Sequence, residues 1–536
     1  MAGTTYRCTQ AMLRADLGRF RPFLSCSWVG FRSKLLPTVR QQLHNGPTQT
    51  RLLRWRDVYR EAELYKAAVR VYTKPLFLWR KALNVSTDGR TLYDLASRGL
   101  NGLAGIHEQL RAQRFHFRPS VGLKYNFNGK RRTLFIPPWE ERIVDLLLYR
   151  ILNRRLHHSF SPSSYAYRDH TYGLDRCQSR IRAVLASSHF PVYVVKRDIS
   201  DYFASINHSL LFEQLARHFD ANDYLFELLA ERIRFDYQDE NGSHRAVIGV
   251  PFGCASACVF ANVYLTGLDQ EIESIHGVHY FRYADDILLL STDREAALLA
   301  SARIHDALAG LRLTTKASHH ADLVLAEVPE SGDARFHLAA GFRHLGLQFE
   351  RSGSVLLSRD KQRKIQNLFR FAFRRGRRRW KKIDDPRERA RTLIAIACQT
   401  IERGVRNVAI MDYYLKHVTD VSQLQLIDRW LAEEILSLTF GGHKKGHFAK
   451  ISYQQLRQDG LPSLAHRQRL ILHRKIESPF FIWQQQKAER AFKGTVASRR
   501  RALSEPSGFS PCPEAAVLQK ACERGRPPVH GCDGIR

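Results

Sequence analysis

The chain has 536 residues, 44% of them hydrophobic and 11% aromatic, which is ample for a large buried core and excludes wholesale disorder. Lys and Arg number 84 against 52 Asp and Glu, a formal net charge of +32, so nucleic acid is the leading expected partner and an anionic membrane surface the second. No apolar run reaches the roughly 18 residues that a membrane-spanning helix needs, so no membrane span is expected.

In chain order, residues 1–50 form a basic arm in which Arg7, Arg14, Arg19, Arg21, Arg32, Lys34 and Arg40 face one acid, Asp16. The bias is that of a transit peptide, but an RNA-touching arm or a start codon placed too far upstream is preferred. From Arg54 to Gln113 apolar residues recur at helical spacing, as at Leu100, Leu103, Ile106 and Leu110. Tyr125–Ile136 reads as two strands around Asn128-Gly129, stopped by Pro137 and Pro138, and Glu141–Leu156 as helix. Val192–Arg197 reads as a buried strand, Leu210–Ile233 as an amphipathic helical stretch, and Val247–Val250 as the lead into a helix ending near Leu268. Tyr280–Leu290 reads as a hairpin with a polar tip. After Glu350 long helices follow at Gln362–Arg379, Pro386–Arg403 and Val421–Ser437, with Arg374–Asp385 as a charged linker. Residues 487–536 lose periodicity and are expected to be disordered. Strands and helices mixed without βαβ regularity predict an α+β fold.

Nine cysteines lie at irregular spacing, with no Cys-x-x-Cys pair, which argues for a reducing compartment and a cytoplasmic location. Cys512, Cys522, His530 and Cys532 fit no zinc spacing.

The sharpest chemical signal is Phe281-Arg282-Tyr283-Ala284-Asp285-Asp286-Ile287-Leu288. Adjacent acids between apolar strands are costly unless something binds them, and a hairpin tip carrying both is a seat for a hard divalent cation. An ordinary acidic turn is the plain alternative, since Tyr-x-Asp-Asp arises by chance in about one such chain in twenty. A second element adds weight, because the strand Val192–Arg197 delivers Asp198 at its end, 87 residues before Asp285. Three carboxylates from two neighbouring strands can hold two Mg²⁺ for in-line phosphoryl transfer, with Mn²⁺ as a substitute.

Together these motifs resemble those of reverse transcriptases, in the bacterial lineage of group II intron, retron and related enzymes. Asp198 falls on the family's first catalytic motif and Tyr283-Ala284-Asp285-Asp286 on its Tyr-x-Asp-Asp box. In matching order come Gly129–Pro137 with Glu141–Val144, Phe160–Arg168, Gly249–Gly253 with Ala261–Leu265, and Phe342–Phe349, the last similar to the primer-grip hairpin. The resemblance implies a right-hand polymerase: a helical extension and fingers at 51–190, a palm with the catalytic motifs at 191–350, and an all-helical thumb or C-terminal RNA-binding domain at 351–486. It implies that Asp198, Asp285 and Asp286 bind the metals, with the Ile199 carbonyl as a further ligand. It places Arg132, Arg168 and Lys130 on the incoming triphosphate, Phe203 as the ring that excludes a ribose 2′-hydroxyl, and Lys316 as a general acid for pyrophosphate.

One departure is clear. Where the family writes Pro-Gln-Gly-Ser-Pro, this chain has Pro251-Phe252-Gly253-Cys254-Ala255, so Phe252 beside the nucleotide can stack but cannot hydrogen-bond. Cys254 and Cys258 read as small core residues. The run Arg374, Arg375, Gly376, Arg377, Arg378, Arg379, Trp380, Lys381, Lys382 interleaves charge with aromatic residues, the footprint of nucleic-acid binding, and Lys444 and Lys445 add a second basic segment.

The expected reaction is RNA-templated DNA synthesis from dNTPs. The chain lacks a Cys/His-rich endonuclease segment, a retron-type Val-Thr-Gly element and a Ser-Gln pair at Ala257-Cys258. By elimination it resembles a free-standing reverse transcriptase of antiphage defence that copies a cognate non-coding RNA. The alternative is a maturase-like RNA-binding splicing protein with a polymerase scaffold. Template, primer type, and whether the chain works as a homo-oligomer or with a partner protein stay open.

Overall fold

The computed structural model describes residues 52–473 apart from 74–85, 87, 128–129, 169–171, 328–334 and 403–405. The basic arm, the Asn128-Gly129 turn and the tail expected to be disordered lie outside the described residues.

Among the described residues, three sheets organise the chain. The first has the order β2-β1-β4-β5, built from β1 (Ser120–Phe127), β2 (Lys130–Ile136), β4 (Asp236–Asp239) and β5 (Gly242–Arg245). The second has the order β6-β7-β3-β8-β9, with β3 (Val192–Asp198), β6 (Val278–Tyr283), β7 (Asp286–Ser291), β8 (Ala321–Leu325) and β9 (His337–Leu338). The third is β10 (Gly341–His344), β11 (Leu347–Glu350) and β12 (Val355–Leu357).

The central strand β3 is apolar on both sides because it separates two cores. Tyr193 and Val195 pack with Ile287 and Leu289 against the helices Ala255–Tyr264 and Arg294–Gly310. Val192 and Val194 pack with Leu288 and Leu290 against the helix Leu174–Ser187 and the C-terminal helices. The two-residue alternation of a strand thus decides which core each side chain joins. After Leu357 the described chain is helical, with Arg359–Arg375, Pro386–Glu402 and Val421–Phe440 as its long members.

The helical expectations need three corrections. Leu210–Ile233 is two helices, His208–Ala216 and Tyr224–Ile233, because the Asp223 side chain caps the second by accepting from Leu225 N. The helix after Val250 breaks at Leu265 and resumes as Thr266–Glu273. Gln362–Arg379 breaks at Gly376, where a Cβ would stand 2.7 Å from the Cδ1 end of Ile396 on the helix Pro386–Glu402. The segment read as a charged linker is therefore the end of one helix, the short helix Arg377–Trp380 and a tight turn.

Candidate active site

The three acids meet because of register. β7 pairs antiparallel with both β3 and β6, setting Asp198 and Tyr283 each opposite Asp286. Ala284 turns the chain at φ +60°, a left-handed conformation that costs a non-glycine residue about 1 kcal/mol. The Asp285 carbonyl accepts from Ile199 N at 3.1 Å, tying the tip to the end of β3.

Each carboxylate has its own environment. Burial first, then the charge of Asp198, pushes the Asp285 pKa up. Burial acts in the same sense on Asp286 and is the largest influence there, but His344, Lys196 and His319 together outweigh it and the net direction is down. His344 Nδ1 lies 3.4 Å from Asp286 Oδ1, and among the described residues this fully buried ring has no hydrogen-bond partner on either nitrogen. Asp198 Oδ2 accepts from Lys316 Nζ at 3.0 Å and lies 2.7 Å from His319 Nδ1. Lys316 Nζ also donates to the Ile199 carbonyl at 3.0 Å.

That arrangement tests the site against a metal. Among the described residues no three acid, His or Cys side chains already converge as a ligand cluster. Instead an ammonium stands between Asp198 Oδ2 and the Ile199 carbonyl, two of the oxygens expected to bind the cation. The donors are all oxygen and mostly anionic, which suits a hard divalent ion. Lys316 thus stands beside the acids, in the position of a cation.

Beside the acids, the loop Gly249–Gly253 folds onto the residues after β3. Val250 N donates to the Phe203 carbonyl at 2.8 Å, and a Cβ on Gly249 would meet the Ala204 backbone at 2.9 Å, so this close approach requires glycine. It brings the Phe252 ring edge-on to Phe203 with centroids 5.3 Å apart, and Tyr167 meets Phe203 edge-on from another side at 6.1 Å. The exposed Arg132 lays its guanidinium over Phe252 at 5.4 Å. Phe252 therefore neighbours both Arg132 and Phe203. Lys130 opens β2 two residues before Arg132.

Arg168 is placed differently. Its guanidinium donates to the carbonyls of His157, Ser161 and Ser164 at 2.6–3.1 Å and stacks 3.5 Å over Tyr172. In this structure those donors shape the loop before the site instead of facing an incoming phosphate.

Several supporting residues escape sequence reasoning. The fully buried Arg282 forks onto Asp269 with two 2.6 Å bonds and also reaches Ser164 Oγ and the Ala284 carbonyl, pinning the hairpin tip. An arginine within an apolar strand is the available signal, but nothing local points to Asp269. Arg232 donates to Asp145 Oδ1 at 2.8 Å and also contacts Cys254 Sγ. Asp145 Oδ2 in turn accepts from Ala255 N at 2.6 Å, anchoring the loop that carries Phe252. Burial pushes the Cys254 thiol up to about 12, consistent with a packed, unreactive residue.

The basic run lies on the helical domain. Arg374, Arg375, Arg377, Arg378, Arg379, Lys381 and Lys382 are exposed, and among the described residues none has an acidic partner. Its aromatic residues are not free platforms. Phe373 is buried, and Trp380 is half-buried with its indole N–H on the Phe373 carbonyl at 2.9 Å, leaving Phe371 exposed. Arg389 donates to both the Ile383 and Thr439 carbonyls, so the run and the exposed segment with Lys444 and Lys445 share one end of the domain. The exposed acids Asp384, Asp385 and Glu388 flank it. His447 turns inward onto the Gly442 carbonyl at 3.0 Å.

Residues 124–323, a span that holds all three acids, match the family model described as reverse transcriptase (RNA-dependent DNA polymerase). The chain is 24% identical over 171 residues to an uncharacterized 91 kDa protein in the cob intron of Schizosaccharomyces pombe, covering 32% of this chain and 21% of that one. It is 25% identical over 191 residues to the Retron Ec83 reverse transcriptase of Escherichia coli, covering 35% of this chain and 56% of that one. The matches thus span about a fifth and just over half of these curated relatives. Among solved structures, telomerase from Candida albicans in complex with a fragment of telomeric RNA aligns with a TM-score of 0.39 at 10% identity, covering 68% of this chain and 69% of that one. Apo telomerase from Candida tropicalis aligns at 0.37 and 12%, covering 64% and 69%. Among the described residues, no helix is long and apolar enough to cross a membrane.

Proposed function

We propose that this chain is an RNA-directed DNA polymerase that extends a primer with dNTPs on an RNA template. The observation that carries this reading is the register that sets Asp198 opposite Asp286 with Asp285 at the adjoining tip. Asp198, Asp285, Asp286 and the Ile199 carbonyl would hold two Mg²⁺, with Mn²⁺ as a substitute. Bound there, the ions supply charge neutralisation for both the attacking and the leaving oxygens. Lys316, which bonds Asp198 and the Ile199 carbonyl, would leave that position when the site is loaded and then protonate departing pyrophosphate. Arg132, held over Phe252, meets the triphosphate with Lys130 beside it, and Phe203 closes the space beside the sugar C2′. Arg168 serves the same site by holding the 157–164 loop. The exposed run Arg374–Lys382, with Lys444 and Lys445, binds the phosphate backbone of template and product.

In biological terms, the reading is a cytoplasmic, free-standing enzyme that copies a cognate non-coding RNA in antiphage defence. Support comes from the family match at 124–323 and the likeness to a retron enzyme.

The test uses full-length protein purified with its bound nucleic acid, supplied with Mg²⁺ and labelled dNTPs or NTPs, before and after RNase. Incorporation of dNTPs that is RNase-sensitive and lost in Asp285→Asn/Asp286→Asn is expected, and sequencing the product identifies the template. Specific RNA retention with no incorporation would favour a splicing-type scaffold and overturn the proposal.

A further inference from the structure

The strands β10 and β11 are joined by a two-residue turn, Leu345-Gly346, with φ of +48° and +89°. Glycine is at ease in that conformation, but a leucine is not, so something must hold it. The hold comes from two directions. Gln178, 1% exposed on the helix Leu174–Ser187, donates from Nε2 to the Leu345 carbonyl at 2.9 Å. Its Oε1 accepts from the Tyr413 hydroxyl at 2.9 Å, and Tyr413 lies on the helix Arg406–Leu415 of the C-terminal domain. On the other side, Gly346 lies under Tyr414, where a Cβ would be 3.1 Å from the ring, and Lys361 covers that ring at 4.3 Å.

The residue before the turn is His344. It is 1% exposed, its ring nitrogens lack hydrogen-bond partners among the described residues, and Nδ1 stands 3.4 Å from Asp286. The ring is thus seated beside the carboxylate by the packing around it, its attraction to the acid and the hold on its backbone. Lys196 Nζ helps by donating to the Arg343 carbonyl at 2.7 Å.

We infer that Gln178 is a positioning residue for Asp286. Its single amide ties the strained Leu345-Gly346 turn to Tyr413, and the turn seats His344 against the acid. The docking of the helical domain is thereby read at the catalytic hairpin through Gln178, beside the direct seat of Tyr414 on Gly346. Asp175, one turn earlier on the same helix as Gln178, meets Lys416 at 2.6 Å and His417 at 2.8 Å, which makes that helix the place where the domain seats. The inference rests on the polymerase reading for its kinetic consequence, but the positioning itself can be measured without turnover.

The experiment uses the full chain with Gln178→Met, Tyr413→Phe, His344→Leu and the Gln178→Met/His344→Leu double variant. Amide hydrogen exchange comes first: Gln178→Met should speed exchange in 341–350 about 10-fold, roughly the factor of one lost buried hydrogen bond, with 278–291 unchanged. Tyr413→Phe, which leaves the Leu345 bond in place and is the milder change to the fold, should show a smaller increase in the same segment. In primer extension, Gln178→Met and His344→Leu should each lower kcat about 10-fold with the dNTP KM unchanged, and the double variant should be no slower than either. Unchanged exchange at 341–350 in both Gln178→Met and Tyr413→Phe would overturn the inference, and so would single effects that multiply in the double variant. A wild-type chain that incorporates nothing would instead refute the polymerase reading, leaving exchange to decide the role of Gln178.

Discussion

Arg282→Met isolates the buried pair that pins the hairpin tip. Arg282 and Asp269 are both fully buried and share two 2.6 Å hydrogen bonds, so truncating one side leaves the Asp269 carboxylate with Tyr280 as its remaining side-chain donor, at 2.9 Å. Burial opposes both charges: Asp269 more than restores that of Arg282, whereas burial still pushes the Asp269 carboxyl up, and the two 2.6 Å bonds are what hold the two as an ion pair. Removing one member of such a pair costs about 3–5 kcal/mol, chiefly because the other charge is stranded. The variant also loses the bonds to Ser164 Oγ and the Ala284 carbonyl, so the upper half of that range is expected. At about 2–4 °C per kcal/mol for a domain of this size, the melting transition should fall by about 8–20 °C. Thermal melts by circular dichroism, with amide exchange in β6 and β7, provide the assay. Arg282→Met/Asp269→Leu should recover most of the loss, because it removes both charges together. A single-variant cost below about 1 kcal/mol, or a double variant no more stable than the single, would refute the assignment of this pair as the anchor.

Other consequences follow from different parts of the molecule. Phe203→Ala should relax discrimination between dNTP and NTP by about 10-fold or more, equivalent to at least 1.4 kcal/mol, and an unchanged ratio of kcat/KM would remove Phe203 from the sugar site. Replacing Arg377, Arg378, Arg379, Lys381 and Lys382 with Ser should weaken RNA binding and flatten the slope of log affinity against log salt by about 0.7–0.9 per lost phosphate contact, as read by filter binding across salt concentrations. Glu63 is set among Lys66, Arg150 and Arg154, and although burial raises its pKa, those partners lower it from 4.5 to about 2. A depressed acid stabilises the fold above its unfolded pKa and loses that contribution as pH falls through the folded value, so about 2–3 kcal/mol should disappear between about pH 4.5 and pH 2. Glu63→Gln should flatten acid unfolding in that window, and an identical acid limb would contradict the assignment.

The chain by itself determined where the acids and strands lie. β3 and the β6–β7 hairpin were legible because strand periodicity and a polar tip are local properties, and the spacing between Asp198 and Asp285 needed no three-dimensional information. The same holds for the exposed charge of Arg374–Lys382, since isolated cations are written directly in composition. Tertiary structure alone decided which polar groups meet. Gln178 reaches Leu345 across 167 positions and Arg282 reaches Ser164 across 118, and no periodicity encodes either partner. It redirected Arg168 to three carbonyls and turned Trp380 inward, because a buried donor takes whichever acceptor the packed backbone presents. The helix breaks at Gly376 and Leu265 likewise interrupt segments that read as continuous helix in the sequence. Residue chemistry is a property of the chain, whereas the pairing of buried polar groups is a property of the closed core, where each must find a partner or be stranded.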